Sequence, residues 1–257
     1  MEQYTVLAGL YDDYMDDVDR DQWARYAMSC ISRAAVGRSA SILECGCGTG
    51  AITIPLKKAG YNIVGTDISE NMLAVAAENA RNAGVTVPFV RMDMRSISVH
   101  RPVDVVLACC DCVNYLTSPE DVQAFFRSAH DALRIGGVLL FDISSAYKLG
   151  YLLGWNSFTD SREDSAYLWQ NNFDEESRLI EMRLEFFIRS DEKSEKTGKP
   201  LYERHSETHI QRAHTEEELY TWLREAGFSS IHAFDAFTFD APDPDAERIQ
   251  YFAVRTR

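Results

Sequence analysis

Apolar residues follow two rhythms along this chain. Near the start, Trp23, Tyr26, Ala27, Cys30, Ile31 and Ala34 recur at helical spacing behind Asp19 and Gln22, a pairing that resembles a capping box. Further on, apolar runs at 40–44, 62–67, 87–92, 103–110 and 138–143 read as buried strands. Helical patterns separate them. Ile52, Ile54 and Leu56 form the first, and Ser69 caps the second (Met72, Leu73, Val75, Ala76, Ala80), which Gly84 ends. Ser118-Pro119-Glu120-Asp121 opens the third, whose buried face is Val122, Phe125, Phe126, Ala129 and Leu133. Continuous apolar strands alternating with helices predict an α/β fold, a doubly wound parallel sheet covered on both faces. Ligands on such sheets bind beyond the strand C-terminal ends, where Glu44, Asp67, Asp93 and Asp111 fall.

The rhythm changes between 146 and 213. Segments 166–173, 179–189 and 201–212 read as three consecutive strands without helices, which predicts an inserted antiparallel sheet. The charge run 191–199 reads as an exposed hairpin tip. Thr215-Glu216-Glu217-Glu218 is a capping box opening a helix that Gly227 closes, and two strands at 230–239 and 249–255 end the chain. The expected organisation is a core over 1–145, an antiparallel β insertion over 146–213 acting as a cap, and completion of the core over 214–257.

Composition narrows the function. The 257 residues are 46% hydrophobic and 26% charged, as in an ordinary soluble protein. No apolar run approaches the roughly 18 residues that span a membrane, and the first residues lack the basic start of a signal peptide. Six cysteines, three of them clustered, read as reduced thiols, so a cytoplasmic protein with no membrane partner is expected. A net charge of −14 without a Lys/Arg cluster argues against nucleic acid as a partner.

Candidate chemistry centres on Ile42–Gly50, ILECGCGTG. Two apolar residues enter the turn, and glycines stand at 46, 48 and 50, where backbone must approach something closely. A strand, a glycine turn and a helix N-terminus form a nucleotide-type cradle. The stretch also fits the dinucleotide pattern G-x-G-x-x-A at Gly46, Gly48 and Ala51, with Asp67 downstream, so an NAD-dependent oxidoreductase is one reading. Three features point elsewhere: Glu44 two residues before the first glycine, Asp67-Ile68-Ser69-Glu70-Asn71-Met72 after the second strand, and Arg91-Met92-Asp93-Met94 after the third. Together these resemble the class I S-adenosylmethionine-dependent methyltransferases, with their E-x-G-x-G-x-G turn and successive acidic strand ends. The resemblance is close over about the first 145 residues and looser beyond.

That resemblance implies a Rossmann-like seven-stranded sheet ending in an antiparallel hairpin, and S-adenosyl-L-methionine as cofactor. It places Gly46, Cys47, Gly48 and Gly50 at the methionine end, with Glu44 holding the loop or the amino group. Asp67 would accept from the ribose diol, beside Ile68 and Met72, because an ionised carboxylate offers two acceptor oxygens. Asp93 would meet the adenine amino group and Met94 its ring, and Cys110 and Asp111 are further expected cofactor contacts. Tyr11 belongs to a Tyr-Asp segment that folds over the cofactor in related enzymes, although its bland reading is a solvated acidic turn.

Cys45-x-Cys47 and Cys109-Cys110-x-Cys112 invite a metal, but the spacing departs from that of structural zinc sites, and cysteine is common in buried strands, so no metal is expected. His205 and His209 share a strand face, and one could act as a base. Asn114-Tyr115-Leu116 lacks the N/D-P-P-Y/F signature of many enzymes that methylate bases. Candidates for catalysis are Tyr11, Asn114, Glu207 and His209. Acceptor choice is expected from the insertion, with Tyr151, Trp155, Tyr167 and Trp169. The stretch 203–212 resembles small-molecule N-methyltransferases, notably those that dimethylate amino sugars. The expectation is a methyltransferase acting on a small molecule, with an amine as one acceptor. A non-catalytic S-adenosylmethionine-binding protein is the further alternative.

Overall fold

The computed structural model describes residues 19–34, 37, 39–194 and 196–256; the expectations for Tyr11 and the acidic segment before Asp19 lie outside them. The chain enters as α1 (Arg20–Arg33), whose Asp19 side chain accepts from the Gln22 N–H. There follow β1 (Ser41–Cys45), α2 (Thr53–Lys58), β2 (Asn62–Asp67), α3 (Glu70–Asn82), β3 (Phe89–Arg91), β4 (Val103–Ala108), α4 (Pro119–Ala132) and β5 (Leu133–Ser144). Ser69 and Ser118 cap α3 and α4 as the sequence predicts, each accepting from the backbone N–H three residues on.

These strands belong to a seven-stranded sheet in the order β10-β11-β5-β4-β1-β2-β3. The first five run parallel, while β11 (Arg248–Arg255) pairs antiparallel with β5, and β10 (Phe228–Asp235) pairs antiparallel with β11. One apolar layer joins α4 and α5 (Glu216–Glu225) to a face of this sheet through Phe125, Phe126, Leu139, Phe141, Trp222 and Tyr251. A second joins α1 and α2 to the other face through Trp23, Ile31, Ile42, Leu56 and Ile63. Burial on both faces is the reason the strands read as unbroken apolar runs.

Between β5 and α5 lies a second sheet, wholly antiparallel, in the order β6-β7-β8-β9. Its strands are β6 (Ser157–Ser161), β7 (Ser165–Asp174), β8 (Leu179–Lys193) and β9 (Pro200–Arg212). The sequence predicts three of the four. β6 is a short edge strand, SFTDS, with no apolar run to announce it. A wide helical turn at Lys148–Leu153 leads from β5 into this sheet.

Two boundaries move for a physical reason. β4, expected to reach 110, stops at Ala108 because Cys110 and Asp111 take left-handed backbone, φ 61° and 51°. β10, expected to reach 239, stops at Asp235, and Phe237 has φ 58°. At the other end β5 begins at Leu133, before the Gly136-Gly137 pair expected to precede it, and that pair is carried within the strand.

Candidate active site

The C-terminal ends of the parallel strands open into a cavity of about 650 Å³, within the 300–1,000 Å³ typical of small-ligand sites. Gly46 and Gly48 line it from the end of β1, Asp67, Ile68 and Met72 from the end of β2 and the helix after it, Asp93 and Met94 from beyond β3, and Cys109, Cys110, Cys112 and Tyr115 from beyond β4. All follow β1, β2, β3 or β4, which is why one sheet edge gathers them.

The glycine turn is shaped by its backbone. Gly46, Gly48 and Gly50 have φ of +66°, +52° and +80°, which side-chain-bearing residues rarely adopt. A Cβ on Gly46 would lie 3.0 Å from the Cys112 Cβ, whereas one on Gly48 would meet nothing within 4 Å. Gly50 faces the other way, its missing Cβ making room for Ile54, Phe89 and Ala76. Gly50 therefore serves packing and does not line the cavity, contrary to expectation.

Asp67 locks this turn to β2. One carboxylate oxygen accepts from the Gly48 N–H at 2.9 Å and the other from the Ser69 N–H at 2.8 Å. Burial pushes its pKa upward, and these backbone donors oppose the shift. Each oxygen of this cavity-lining carboxylate has capacity to accept a further hydrogen bond, which a diol could supply. Asp93 accepts from the Arg95 guanidinium, with Nη2 at 2.6 Å, and that charge-assisted contact holds its carboxyl below the usual range. Its oxygens are therefore already engaged on the cavity rim.

Several expected contacts lie behind the cavity. Glu44 sits within β1, is 2% exposed, and accepts a short hydrogen bond from the Thr53 hydroxyl at the start of α2. It holds the loop from behind, and burial pushes its carboxyl up to about 8. Cys47 is buried, its thiol turned back on the Gly48 carbonyl, and does not line the cavity. Asp111 also points away, to Arg248 at 2.9 Å and Gln211 at 2.8 Å. Burial alone would raise its pKa, but the Arg248 charge brings it below the usual carboxylate range. Arg248 also bonds Asp142, whose carboxyl burial pushes up to about 6, and its guanidinium lies 5.2 Å from the Trp23 ring. Asn114, a candidate for catalysis, is completely buried. Its amide donates to the Ser144 and Arg212 carbonyls and accepts from the Ser144 N–H, clamping β5 to β9.

The insertion contributes a buried polar row. Glu207, His209 and Gln211 alternate along β9, share a face, and are 3%, 3% and 4% exposed. Their partners across β8 are Leu184, Met182 and Ile180. His209 Nε2 lies 3.2 Å from Glu207 Oε2, and Nδ1 lies 3.1 Å from the phenol oxygen of Tyr115. Tyr115 thus links the cavity to the inserted sheet. His205, on the same face by spacing, stands instead at the half-exposed end, 3.6 Å from Glu203. Tyr151 and Trp155, expected to shape acceptor choice, are among the most exposed aromatics, at 74% and 71%. Among the described residues no group of three His, Cys, Asp or Glu side chains is placed to hold a metal.

Sequence reasoning named Gly46, Gly48, Asp67, Ile68, Met72, Asp93, Met94 and Cys110 on this cavity. The further lining residues it did not assign include Arg91, Arg95, Cys112, Leu116 and Asp121, and it did not commit to Tyr115. The signal for Tyr115 is its place in the first turn after the left-handed pair, visible only once β4 is known to stop early.

A parallel sheet with a backbone-shaped glycine turn and an acidic residue closing the second strand defines a class I S-adenosylmethionine-dependent methyltransferase, and comparisons agree. A methyltransferase domain model matches residues 42–137. Over 252 residues the chain is 33% identical to GWCH70_2453 of Geobacillus sp. (strain WCH70), covering 98% of this chain and 99% of that protein. It is 31% identical to YqeM of Bacillus subtilis (strain 168) over 255 residues, 99% of this chain and 98% of that one; both are named as methyltransferases. A crystal structure of an S-adenosylmethionine-dependent methyltransferase from Clostridium acetobutylicum superposes with a TM-score of 0.85 at 28% identity, covering 98% of this chain and 99% of that one. At the level of fold alone, CalS10 from Micromonospora echinaspora, an amino pentose methyltransferase solved with the cofactor bound, gives 0.70 at 18% identity, covering 100% of this chain and 99% of that one.

The chain belongs to the S-adenosylmethionine-dependent methyltransferase family. Its cofactor is S-adenosylmethionine, and the oxidoreductase reading of the glycine pattern is set aside. The residues present fit that cofactor: the Gly48 side is open, the turn is held by Asp67, and the cavity is large enough.

Proposed function

We propose that the protein methylates a small molecule, with an amine as the favoured acceptor, and that the inserted sheet chooses it. The carrying observation is Tyr115, half-buried, lining the cavity and bonded to the buried Glu207–His209 row of the cap. In this reading Gly46 and Gly48 take the methionine end of the cofactor, Asp67 the ribose, and Ile68, Met72, Asp93, Met94 and Cys110 the remaining wall. Glu44, Cys47, Gly50 and Asp111 support the lining residues from behind.

S-adenosylmethionine supplies a methyl group already activated by its sulfonium, so the protein's work is alignment and exclusion of water. Pockets that select small ligands combine aromatic walls with a few placed polar groups. Across the inserted sheet Trp169, Leu184 and Glu207 stand in one register row, an aromatic, an apolar and a polar side chain side by side. The net charge of −14 favours a cationic or neutral acceptor over an anionic polymer. Amino-sugar methyltransferases among the structural neighbours support an amine.

The test has two arms. Calorimetry should show S-adenosylmethionine binding and NADH not binding. Release of S-adenosylhomocysteine should then be followed with panels of alkyl amines, amino sugars, phenols and carboxylic acids. Turnover confined to carboxylic acids would reject the amine, and turnover of none, with the cofactor bound, would favour a binding protein.

A further inference from the structure

Three groups in the molecule form a chain from the cavity into the cap. Tyr115 lines the cavity, its phenol oxygen lies 3.1 Å from His209 Nδ1, and His209 Nε2 lies 3.2 Å from Glu207 Oε2. The imidazole and carboxylate are each 3% exposed. Burying such groups is costly unless they are hydrogen-bonded, and these two lie within hydrogen-bonding distance of each other. Asp111, which bonds Gln211 of the same strand face, is also held by Arg248, and Arg212 at the end of β9 bonds Glu218 and His214.

An ionised carboxylate only accepts, so with Glu207 in that form the hydrogen between them sits on His209 Nε2. In the neutral ring Nδ1 is then an acceptor, and the Tyr115 hydroxyl must donate to it. A hydroxyl on an imidazole, itself oriented by a buried carboxylate, is the arrangement by which hydroxyl groups are made to exchange protons. Here the hydroxyl is the phenol of a residue that lines the cavity in which the methyl group would be transferred.

We propose that Tyr115 is a catalytic residue that takes the acceptor's proton, and that His209 and Glu207 are positioning residues that receive and orient it. The proposal rests on the methyltransferase reading above and adds the acceptor class, a nucleophile that carries a proton it must lose. In the step, the acceptor's lone pair forms a bond to the methyl carbon as the carbon–sulfur bond breaks and its pair goes to sulfur. The acceptor's proton passes to the Tyr115 oxygen as the phenol proton passes to His209 Nδ1. The ring becomes an imidazolium beside Glu207, which stabilises it, and it returns its proton to solvent after product leaves. Atoms and charge balance without a metal or an external base.

The test needs no known acceptor. The protein is labelled with ¹⁵N-histidine and loaded with S-adenosylhomocysteine, and the side-chain nitrogens of His209 are observed by NMR at neutral pH. The expected result is hydrogen on Nε2 alone. Tyr115→Phe, which keeps the ring, should move the Nδ1 signal and leave the Nε2 hydrogen in place, whereas Glu207→Gln should shift hydrogen toward Nδ1. Hydrogen on Nδ1 in the unaltered protein, or an Nδ1 signal indifferent to Tyr115→Phe, overturns the relay. Calorimetry with S-adenosylmethionine separates the two claims. If the cofactor does not bind, the methyltransferase reading and the relay both fail; if it binds and the tautomer is wrong, the relay alone fails. With any acceptor found in the alkyl amine panel, Tyr115→Phe should lower turnover about 100-fold, the lower end of proton-transfer catalysis, and leave cofactor affinity within a few-fold. Unchanged turnover would also overturn it.

Discussion

Two regions each bury a carboxylate beside the cavity and handle it differently. In the parallel core, Glu44 lies under the glycine turn with a threonine hydroxyl as its partner, and burial drives it toward the neutral form. In the cap, Glu207 faces an imidazole that can hold a positive charge. The core arrangement joins β1 to the start of α2 beneath the glycine turn. The cap arrangement consists of side chains able to exchange a proton. A cofactor common to a whole family can be held by backbone geometry, whereas recognition of a particular acceptor needs side chains that vary.

Arg248 lies in the core, bonded to Asp111 and Asp142 and 5.2 Å from Trp23, and Asp111 in turn bonds Gln211 of β9. Arg248→Met leaves two buried carboxylates without their cation, and stability should fall by about 3–5 kcal/mol. Denaturant unfolding measures it. A loss too small to detect would mean that the segment after β4 is not held by this pair of contacts.

Glu44 tests the core half of the comparison. Its folded pKa of about 8 lies above the ordinary 4.5, so between those values the folded state holds a proton that the unfolded chain has lost. Stability should therefore fall as pH rises through that window, by an amount on the order of a few kcal/mol. Glu44→Gln, which can still accept from Thr53, should flatten the profile. An unchanged slope in thermal melts across the window would show that Glu44 is not the source.

Asp67→Ala removes the carboxylate that joins the turn to β2. Cofactor affinity should weaken by about 1.5–3 kcal/mol, the usual worth of hydrogen bonds to a charged group. Equal affinity by calorimetry in a folded variant would move the ribose contact elsewhere. On the cap's outer face Arg204 bonds Glu185, with both side chains near solvent. Arg204→Ala should leave the unfolding midpoint and cofactor binding unchanged, because such exposed pairs contribute little. A measurable loss there would mean that the two cap faces are less distinct than their burial suggests.

The sequence by itself determined the parallel core. Its apolar runs, serine caps, glycine turn and the acid after β2 are local signals: each records what one short segment must bury, cap or bend around. The same signals were enough to put Gly46, Gly48, Asp67 and Met94 on one cavity. What only the tertiary structure decided is which acids face the ligand and which face each other. Glu44 and Asp111 have the right type and spacing for contact, yet Thr53 and Arg248 claim them, and the Arg248 contact spans 137 residues of sequence. Tyr115 and His209 are 94 residues apart, and their contact exists because Cys110 and Asp111 bend out of β4 while Asn114 ties that turn to β9. Periodicity reports burial along one segment, but it carries no information about which buried polar groups from distant segments will meet. That pairing is settled by the packing of the two sheets.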